Sequence, residues 1–235
     1  MFHTKPFMLL LSLLLQADTV AQTTTAAQPQ ETISLLYLLK EGGVLMIPLL
    51  ICSVILVYVF AQRLMVIRKA SDNDPRFMQQ IRDRVTNGDI NGAKSLSKNT
   101  TGPVARMIEK GLSRIGKPMD HIEKSMENAG KLEVYQMEKN LSILSTIAGI
   151  APMFGFLGTI AGMIILFFDI QHKGFSLENI AGGIYTKMVT SAVGLIIGLL
   201  AYVAHNYLNA QINKNVNRME AASVEFLDIL HEPVK

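Results

Sequence analysis

The sequence predicts an all-α membrane protein with three transmembrane helices, long cytoplasmic helical extensions and a helical cytoplasmic insert. Two observations carry this prediction. Three long apolar stretches lie at residues 44–62 (TM1), 141–168 (TM2) and 180–208 (TM3), and a charged region at 63–140 separates the first from the other two. About 20 apolar residues rising ~1.5 Å each cross the ~30 Å hydrocarbon core of a bilayer. A chain that is 49% hydrophobic but divided in this way is typical of a multi-span membrane protein.

The segment before the first span has the pattern of a secretory leader. Residues 1–21 begin with His3 and Lys5 and continue with a short apolar run at Phe7–Leu15. Such a run is too short to span a bilayer but suits the core of a signal peptide, which is our prediction for 1–21. An uncleaved interfacial stretch is the alternative. Residues 22–43 are predicted to form a periplasmic N-terminal segment.

Charged residues around the spans predict the orientation. Arg68 and Lys69 closely follow the first span, and an excess of Lys and Arg marks the cytoplasmic side. The chain therefore enters from the periplasm, and the insert at 63–140 is cytoplasmic. Residues 169–179 form a short periplasmic connector, and 209–235 form a cytoplasmic C-terminal helix.

The insert is predicted to contain several helices separated by turns that contain Gly, Asn or Pro. They are expected at Pro75–Asn87, Ile90–Lys98, Pro103–Ile115 and Met119–Asn140. The last of these has helically spaced apolar residues and no helix breaker before the second span. We therefore expect one continuous helix that extends below the membrane as part of a stalk.

The second and third spans are rich in small and hydroxyl residues and nearly free of charge. Neither 143–168 nor 180–208 contains Asp or Glu, and Lys187 is the only Lys or Arg in them. Small residues let membrane helices approach closely, and hydroxyl groups hydrogen-bond across them or line a wet path. The candidates for helix packing are Pro152, Gly155, Gly158, Gly162, Gly194 and Gly198. The candidates for a proton pathway or lumen are Thr159, Thr186, Thr190, Ser191 and Lys187.

Hydroxyl groups do not titrate near neutral pH, so these residues cannot carry a proton themselves. The two spans are therefore predicted to form a pore wall for a partner that supplies the ionisable group. Two candidates have alternative interpretations. Thr159 can hydrogen-bond to a carbonyl one turn earlier in its own helix. Lys187 lines the outer mouth of the pore or extends to the outer membrane interface.

Other functional classes lack support in the sequence. No Cys or His cluster has metal-ligand spacing, there is no phosphate-binding loop, and no nucleophile–base pair is evident. The basic residues of the insert alternate with acidic ones, which is typical of a solvated face and not of a nucleic-acid site. We therefore expect no enzymatic activity, no metal and no cofactor.

Four stretches carry a more specific pattern. They are residues 42–50 followed by Arg63; Gly88-Asp89-Ile90 with Ala93 and Pro103-Val104-Ala105-Arg106; residues 151–163; and Gly183-Ile184 with 190–195 and 202–206. Together they resemble the MotA/TolQ/ExbB proton-channel family, most closely its ExbB branch, over about residues 42–209. The third stretch, with the sequence APMFGFLGTIAGM, is the most specific.

The resemblance implies a proton-channel subunit of an energy-transducing motor in the bacterial inner membrane. Several copies, five in the family's usual arrangement, would surround the single membrane helices of an ExbD-like partner whose membrane Asp carries the proton. A TonB-like protein would then deliver the work to outer-membrane transport. By position, Thr159 and Ser191 match the two hydroxyl positions that the family places near that Asp, with Thr190 beside them.

The sequence departs from the family pattern at three positions. Gln62 and Thr186 stand where the family often has Glu, and Leu200 stands where it often has Pro. A charged site of the lumen is thus replaced by a hydroxyl group with Lys187 next to it, which affects the detailed proton path but not the architecture. A TolQ-like or gliding-type motor subunit is the alternative within the family, and a passive membrane scaffold is the alternative outside it.

Overall fold

The computed structural model describes residues 44–71, 76–174 and 177–231, and these ranges fold into helices without any strand. The helices are α1 Met46–Ser71, α2 Phe77–Thr86, α3 Ile90–Asn99, α4 Pro103–Leu112, α5 Met119–Glu138, α6 Leu141–Lys173 and α7 Leu177–His231. The predicted signal peptide at 1–21 and the predicted periplasmic segment at 22–43 lie outside the described residues. The predicted all-α fold is confirmed.

Three parts of the described chain are helical, long and apolar enough to cross a membrane. They are α1, the α5–α6 region and α7. The protein is therefore a multi-pass membrane protein, and the described residues contain the three spans that the apolar stretches predict. The spans run beyond the apolar stretches at their ends, since α6 continues to Lys173 and α7 begins at Leu177.

The short helices of the insert begin and end near the predicted turns. Asp89 precedes α3, and its carboxylate accepts a hydrogen bond from the Gly92 N–H at 2.9 Å, which satisfies one of the unpaired donors of the first turn. Pro103 begins α4, where a missing N–H costs nothing. The largest difference from the prediction is at the end of α4, which stops at Leu112 instead of Ile115.

The prediction of one continuous helix from Met119 into the second span is wrong, because the helix is interrupted between α5 and α6. Lys139 has an extended ψ of 132°, and Asn140 is left-handed with φ 63° and ψ 5°. Asn tolerates this conformation better than most residues because its short side chain can hydrogen-bond locally. The break is set by local backbone chemistry that apolar periodicity does not reveal.

The third span and the C-terminal segment form one helix. α7 runs for 55 residues from Leu177 to His231 without interruption. At 1.5 Å per residue, such a helix is about 80 Å long, well over twice the thickness of the hydrocarbon core. Its second half serves as the surface on which the insert assembles, since α2, α4 and α5 all pack against α7.

The core of the insert is built from large apolar side chains. Ile108 of α4, Met126 of α5 and Phe226 of α7 are fully buried. Gly111 permits this packing, because a Cβ atom at Gly111 would lie 2.6 Å from the Met126 sulfur and 2.8 Å from the Phe226 ring. Burying each such side chain contributes about 1.5–3 kcal/mol, so this core is the main source of stability outside the membrane.

Candidate functional site

The closest helix contact lies between α6 and α7, within their apolar parts. A Cβ atom at Gly194 would lie 2.7 Å from the Ala151 carbonyl oxygen and 2.9 Å from the Gly155 Cα atom. A Cβ atom at Gly155 would in turn lie 3.0 Å from the Ser191 carbonyl oxygen. Backbone therefore meets backbone here, and only glycine fits on both sides.

The small residues define an antiparallel register along the two helices. Along the contact, the residue numbers of the facing positions increase on α6 and decrease on α7. From one end of the contact to the other, the facing pairs are Pro152 with Gly198, Ala151 and Gly155 with Gly194, Gly158 with Thr190, Gly162 with Lys187, and Leu166 with Gly183. Every predicted packing residue, Pro152, Gly155, Gly158, Gly162, Gly194 and Gly198, lies in this contact.

Thr190 lies inside the bundle. Its side chain is 1% exposed, and a Cβ atom at Gly158 would lie 3.0 Å from the Thr190 methyl group. The same position on Gly158 is 3.8 Å from a methyl carbon of Leu45, just before α1. The three membrane helices thus meet around Thr190, and this residue contributes to packing within one copy.

Thr159 and Ser191 lie together on one flank of the α6–α7 pair. Thr159 directly follows Gly158, and Ser191 directly follows Thr190. Each side chain therefore points about 100° around its helix from a residue of the contact. Because the helices are antiparallel, the two rotations bring both side chains to the same side of the pair, at the same depth. Both residues are half-buried. The structure therefore brings together the two hydroxyl groups that the sequence analysis singled out.

The opposite flank is covered. Phe154, Val189 and Val193 lie on that side of the contact and pack against the buried core. Since α1 packs against both α6 and α7, it occupies that side. The flank with Thr159 and Ser191 is thus the one that faces away from α1.

The hydroxyl group of Thr159 already has a hydrogen-bond acceptor. Its Oγ1 donates to the Phe156 carbonyl oxygen at 2.7 Å, one turn earlier in α6. The bond predicted as an alternative role is therefore present. It uses the proton of the hydroxyl group but leaves the lone pairs of the oxygen available to accept another hydrogen bond.

Lys187 lies across α6 at Gly162. A Cβ atom at Gly162 would collide with the Cγ, Cδ and Cε atoms of Lys187, so the missing side chain provides the space in which the lysine stem lies. Lys187 is half-buried. It precedes Ser191 by four residues, about one turn of α7, so the two side chains lie on the same side of that helix. Thr186 belongs to α7, but its side chain lies outside what the structure describes.

The sequence analysis assigns no structural or functional role to two buried polar residues at the break between α5 and α6. Arg63 of α1 is 5% exposed, and its Nη1 donates to the Gln136 carbonyl oxygen at 3.2 Å. That carbonyl is in the last turn of α5, where helix carbonyls lack intrahelical partners and favour a cation. Asn215 of α7 is 2% exposed, and its amide nitrogen contacts the Met137 sulfur at 3.9 Å. Asn215 interrupts the apolar stripe of Ile212 and Met219, which is the sequence pattern that could have revealed it.

A bidentate ion pair joins α4 and α5. The Arg106 Nε atom is 2.6 Å from Glu133 Oε1, and the Nη2 atom contacts the second carboxylate oxygen. The Glu133 side chain is only 9% exposed, whereas that of Arg106 is half-exposed. The hydrogen bond with Glu133 raises the pKa of Arg106, so this guanidinium stays charged. Glu133 is also a polar residue in an apolar stripe, between Met126 and Met137.

These features define a class of protein. It is a multi-pass helical membrane protein whose second and third spans contact each other at glycine residues, which we call the glycine crossing. These spans carry hydroxyl groups but no Asp or Glu within residues 143–168 and 180–208. In the part of the chain that the structure describes, no group of three or more His, Cys, Asp or Glu could hold a metal ion.

Comparison with known proteins gives the family. The profile of the MotA/TolQ/ExbB proton channel family matches residues 99–221, just over half of the chain. This range includes α4, α5, α6 and the glycine crossing with α7. The chain therefore belongs to the MotA/TolQ/ExbB proton channel family, as the sequence resemblance indicates.

Individual relatives carry two kinds of name. An ExbB homolog from Methanothermobacter thermautotrophicus is 26% identical over 120 residues, which cover 50% of this chain and 42% of the relative. The Tol-Pal system protein TolQ of Haemophilus influenzae is 28% identical over 109 residues, or 46% and 48% of the two chains. The biopolymer transport protein ExbB of Aquifex aeolicus is 30% identical over 87 residues, or 37% and 59%. The matches thus span about half the length of these relatives.

Proposed function

We propose that this protein is the proton-channel subunit of an inner-membrane motor that uses the proton-motive force to energise TonB-dependent outer-membrane transport. The observation that carries the proposal is the flank of the α6–α7 pair on which Thr159 and Ser191 lie together. Residues 143–168 and 180–208 of these helices contain no Asp or Glu, and the chain belongs to a proton channel family. A proton path along this wall needs a titratable group from another polypeptide, which we propose is an ExbD-like single-span protein with a membrane Asp.

The chemistry of the wall suits a carboxyl group that changes its protonation state. The Thr159 oxygen can accept a hydrogen bond but has its proton directed at Phe156, so it favours a protonated carboxyl group, which is a donor. The hydroxyl group of Ser191 and the ammonium group of Lys187 are donors and favour a carboxylate. Proposed roles are therefore acceptor for Thr159, donor for Ser191 and Lys187, and packing for Thr190. Thr186 stays a candidate for the wall.

The proposed arrangement is a ring of copies, five in the family's usual form, around the partner's membrane helices. The insert and the end of α7 lie in the cytoplasm, and the segment before α1 is periplasmic. Arg68 and Lys69 in the last turn of α1 support this orientation. In the ring, the flank away from α1 faces the partner, and a TonB-like protein delivers the work.

The test is uptake of an iron chelate by cells that carry variants of the chain. Ser191→Ala should lower uptake about tenfold or more, since a hydrogen bond to a charged group is worth about 1.5–3 kcal/mol. Thr159→Ala should lower it about fivefold, since a hydrogen bond to a neutral carboxyl group is worth about 1 kcal/mol. Thr146→Ala is the matched control, because Thr146 also donates to a carbonyl of its own helix, that of Ser142 at 2.9 Å, but lies on another face of α6. Equal uptake by all three variants would point to a passive scaffold instead.

A TolQ-like role is the second candidate. It is favoured by the matches to TolQ of Haemophilus influenzae and to TolQ of Pseudomonas aeruginosa, at 28% and 27% identity. Deletion of the gene for this chain distinguishes the two. Loss of iron-chelate uptake with an intact outer membrane supports the TonB-dependent role, and detergent sensitivity with normal uptake supports the TolQ-like role.

A further inference from the structure

A groove between α5 and α7, outside the membrane spans, has a shape and a charge suited to binding a complementary surface. It has a volume of about 450 Å³. Its floor is apolar and consists of Met107, Gly130, Val134 and Met219. Gly130 deepens it, because a Cβ atom there would lie 3.4 Å from the Met219 methyl carbon and 3.7 Å from the Met107 sulfur. The groove can therefore accept an apolar side chain.

The rim of this groove is acidic. Glu123, Glu127, Glu138 and Glu220 line it against a single basic residue, Lys131. All four carboxylate residues are exposed. The Lys131 Nζ atom donates to Glu127 Oε1 at 2.5 Å, and this hydrogen bond lowers the pKa of Glu127. The occupant should present an apolar side chain flanked by positive charges.

A surface formed by the first half of α5 and the turn before it has these properties. Arg114, Lys117, His121 and Lys124 surround a second pocket of about 290 Å³, together with Ser125 and Asn128. Leu132 follows Asn128 by four residues and Ser125 by seven, so it continues this face along α5. Its side chain is 57% exposed. We refer to this surface as the basic face; it pairs three permanent positive charges with an exposed leucine.

We propose that the basic face of one copy docks into the α5–α7 groove of the next copy, with Leu132 inserted over Gly130. The charges are complementary, since three net negative charges on the rim face three positive charges. Two different surfaces on one chain make a head-to-tail interface, which closes into a ring when the rotation between copies allows it. The inference rests on the proposed assembly of several copies and names the surfaces that form it outside the membrane.

Cross-linking of the full-length protein in its membrane tests the docking. In a Cys52→Ser background, Leu132→Cys is combined with Ser223→Cys, because Ser223 lines the groove. The two positions lie on different faces of one copy, so a cross-link between them has to join two copies. We expect a ladder of covalent oligomers with the double variant. Either cysteine alone should give no ladder, which is the matched control.

A second variant checks the groove itself. Gly130→Leu fills the space between Met107 and Met219, and it should lower the yield of the ladder at least about fivefold while the native helical content is kept. Two pairs of charge reversals test the electrostatic part. Lys117→Glu with Lys124→Glu reverses the basic face, Glu123→Lys with Glu220→Lys reverses the rim, and either pair alone should abolish the cross-link. All four changes together should restore it. Restoration would show that the two charged surfaces meet.

The outcomes separate this inference from the function proposed above. An oligomer by mass without any ladder would overturn the groove docking and leave the assembly intact. A monomer by mass would overturn the assembly as well. Cross-links from Ser223→Cys only to a different polypeptide would assign the groove to another occupant and overturn the inference.

Discussion

The membrane crossing and the insert are held together by opposite kinds of residue. At the α6–α7 crossing, Gly155 and Gly194 bring two backbones into contact without large side chains. In the insert, Phe226, Ile108 and Met126 fill a core of large apolar groups, and Arg106 pairs with Glu133. In water, the hydrophobic effect favours the burial of large apolar side chains. In lipid it does not drive helices together, so the contact is stabilised by van der Waals attraction between closely packed backbones.

The comparison explains why the wall of the proposed pathway is thin. Helices that meet through glycine leave little side-chain volume at the contact, so a hydroxyl group one position further along reaches the flank. The insert needs no such access, and its helices can be packed for stability alone. The first prediction tests this difference directly.

The largest effect is expected at the glycine crossing. Gly194→Leu places a side chain where a Cβ atom already lies 2.7 Å from the Ala151 carbonyl, so α6 and α7 have to separate. We expect a loss of more than about 3 kcal/mol in the free energy of unfolding, measured in detergent. Gly149→Leu is the control, since nothing lies within 4 Å of a Cβ atom there. Equal losses for both variants would contradict the backbone contact.

The ion pair of the insert should come next, with an asymmetric effect. Arg106→Met strands a carboxylate that is 9% exposed and should cost about 3 kcal/mol. Glu133→Gln should cost only about 1 kcal/mol, because the half-exposed Arg106 can turn to water. Denaturant unfolding measures both costs, and equal costs for the two variants would refute this explanation.

A smaller effect is expected at the α5–α6 break. Arg63→Met removes the donor that satisfies the Gln136 carbonyl and should cost about 1–2 kcal/mol in thermal or denaturant unfolding. Arg63→Lys keeps a cation at the end of α5 and should recover part of that loss. Identical stability of Arg63→Met and the native chain would show that the contact is not stabilising.

The smallest effect is expected at Gly162. A Cβ atom there would collide with the Cγ and Cδ atoms of Lys187, and a side chain shifts more easily than backbone, so Gly162→Ala should cost about 1 kcal/mol, the low end for an overpacked contact. Lys187→Met tests the role of the ammonium group itself through partner-dependent uptake. Unchanged uptake would leave Lys187 a structural residue.

Much of this architecture follows from the sequence alone. Apolar length predicts the three spans, and turn residues such as Gly102 and Pro103 predict the helix starts, because both depend on local chemistry. The small residues at Gly155 and Gly194 predict a close helix contact for the same reason. The hydroxyl pair of Thr159 and Ser191 also follows, once an antiparallel register is assumed.

Other features depend on tertiary structure. The sequence has no Gly or Pro near the left-handed Asn140 that would predict the break between α5 and α6. The Arg63–Gln136 hydrogen bond at this break joins residues 73 positions apart, so a local pattern cannot predict it either. Thr190 and Ser191 are adjacent hydroxyl residues, and only the packing of α1 and α6 places one inside and the other on the flank. The pairing of Arg106 with Glu133 likewise requires knowledge of which helices are neighbours.

Proton flux in liposomes is the most direct test of the claim that this chain forms the wall of the pathway while a partner supplies the titratable carboxyl group. The purified chain alone should give no more proton flux than empty liposomes give, and addition of a single-span partner with a membrane Asp should produce flux. Replacement of that Asp by Asn should abolish it. Full flux through the chain alone would contradict the account.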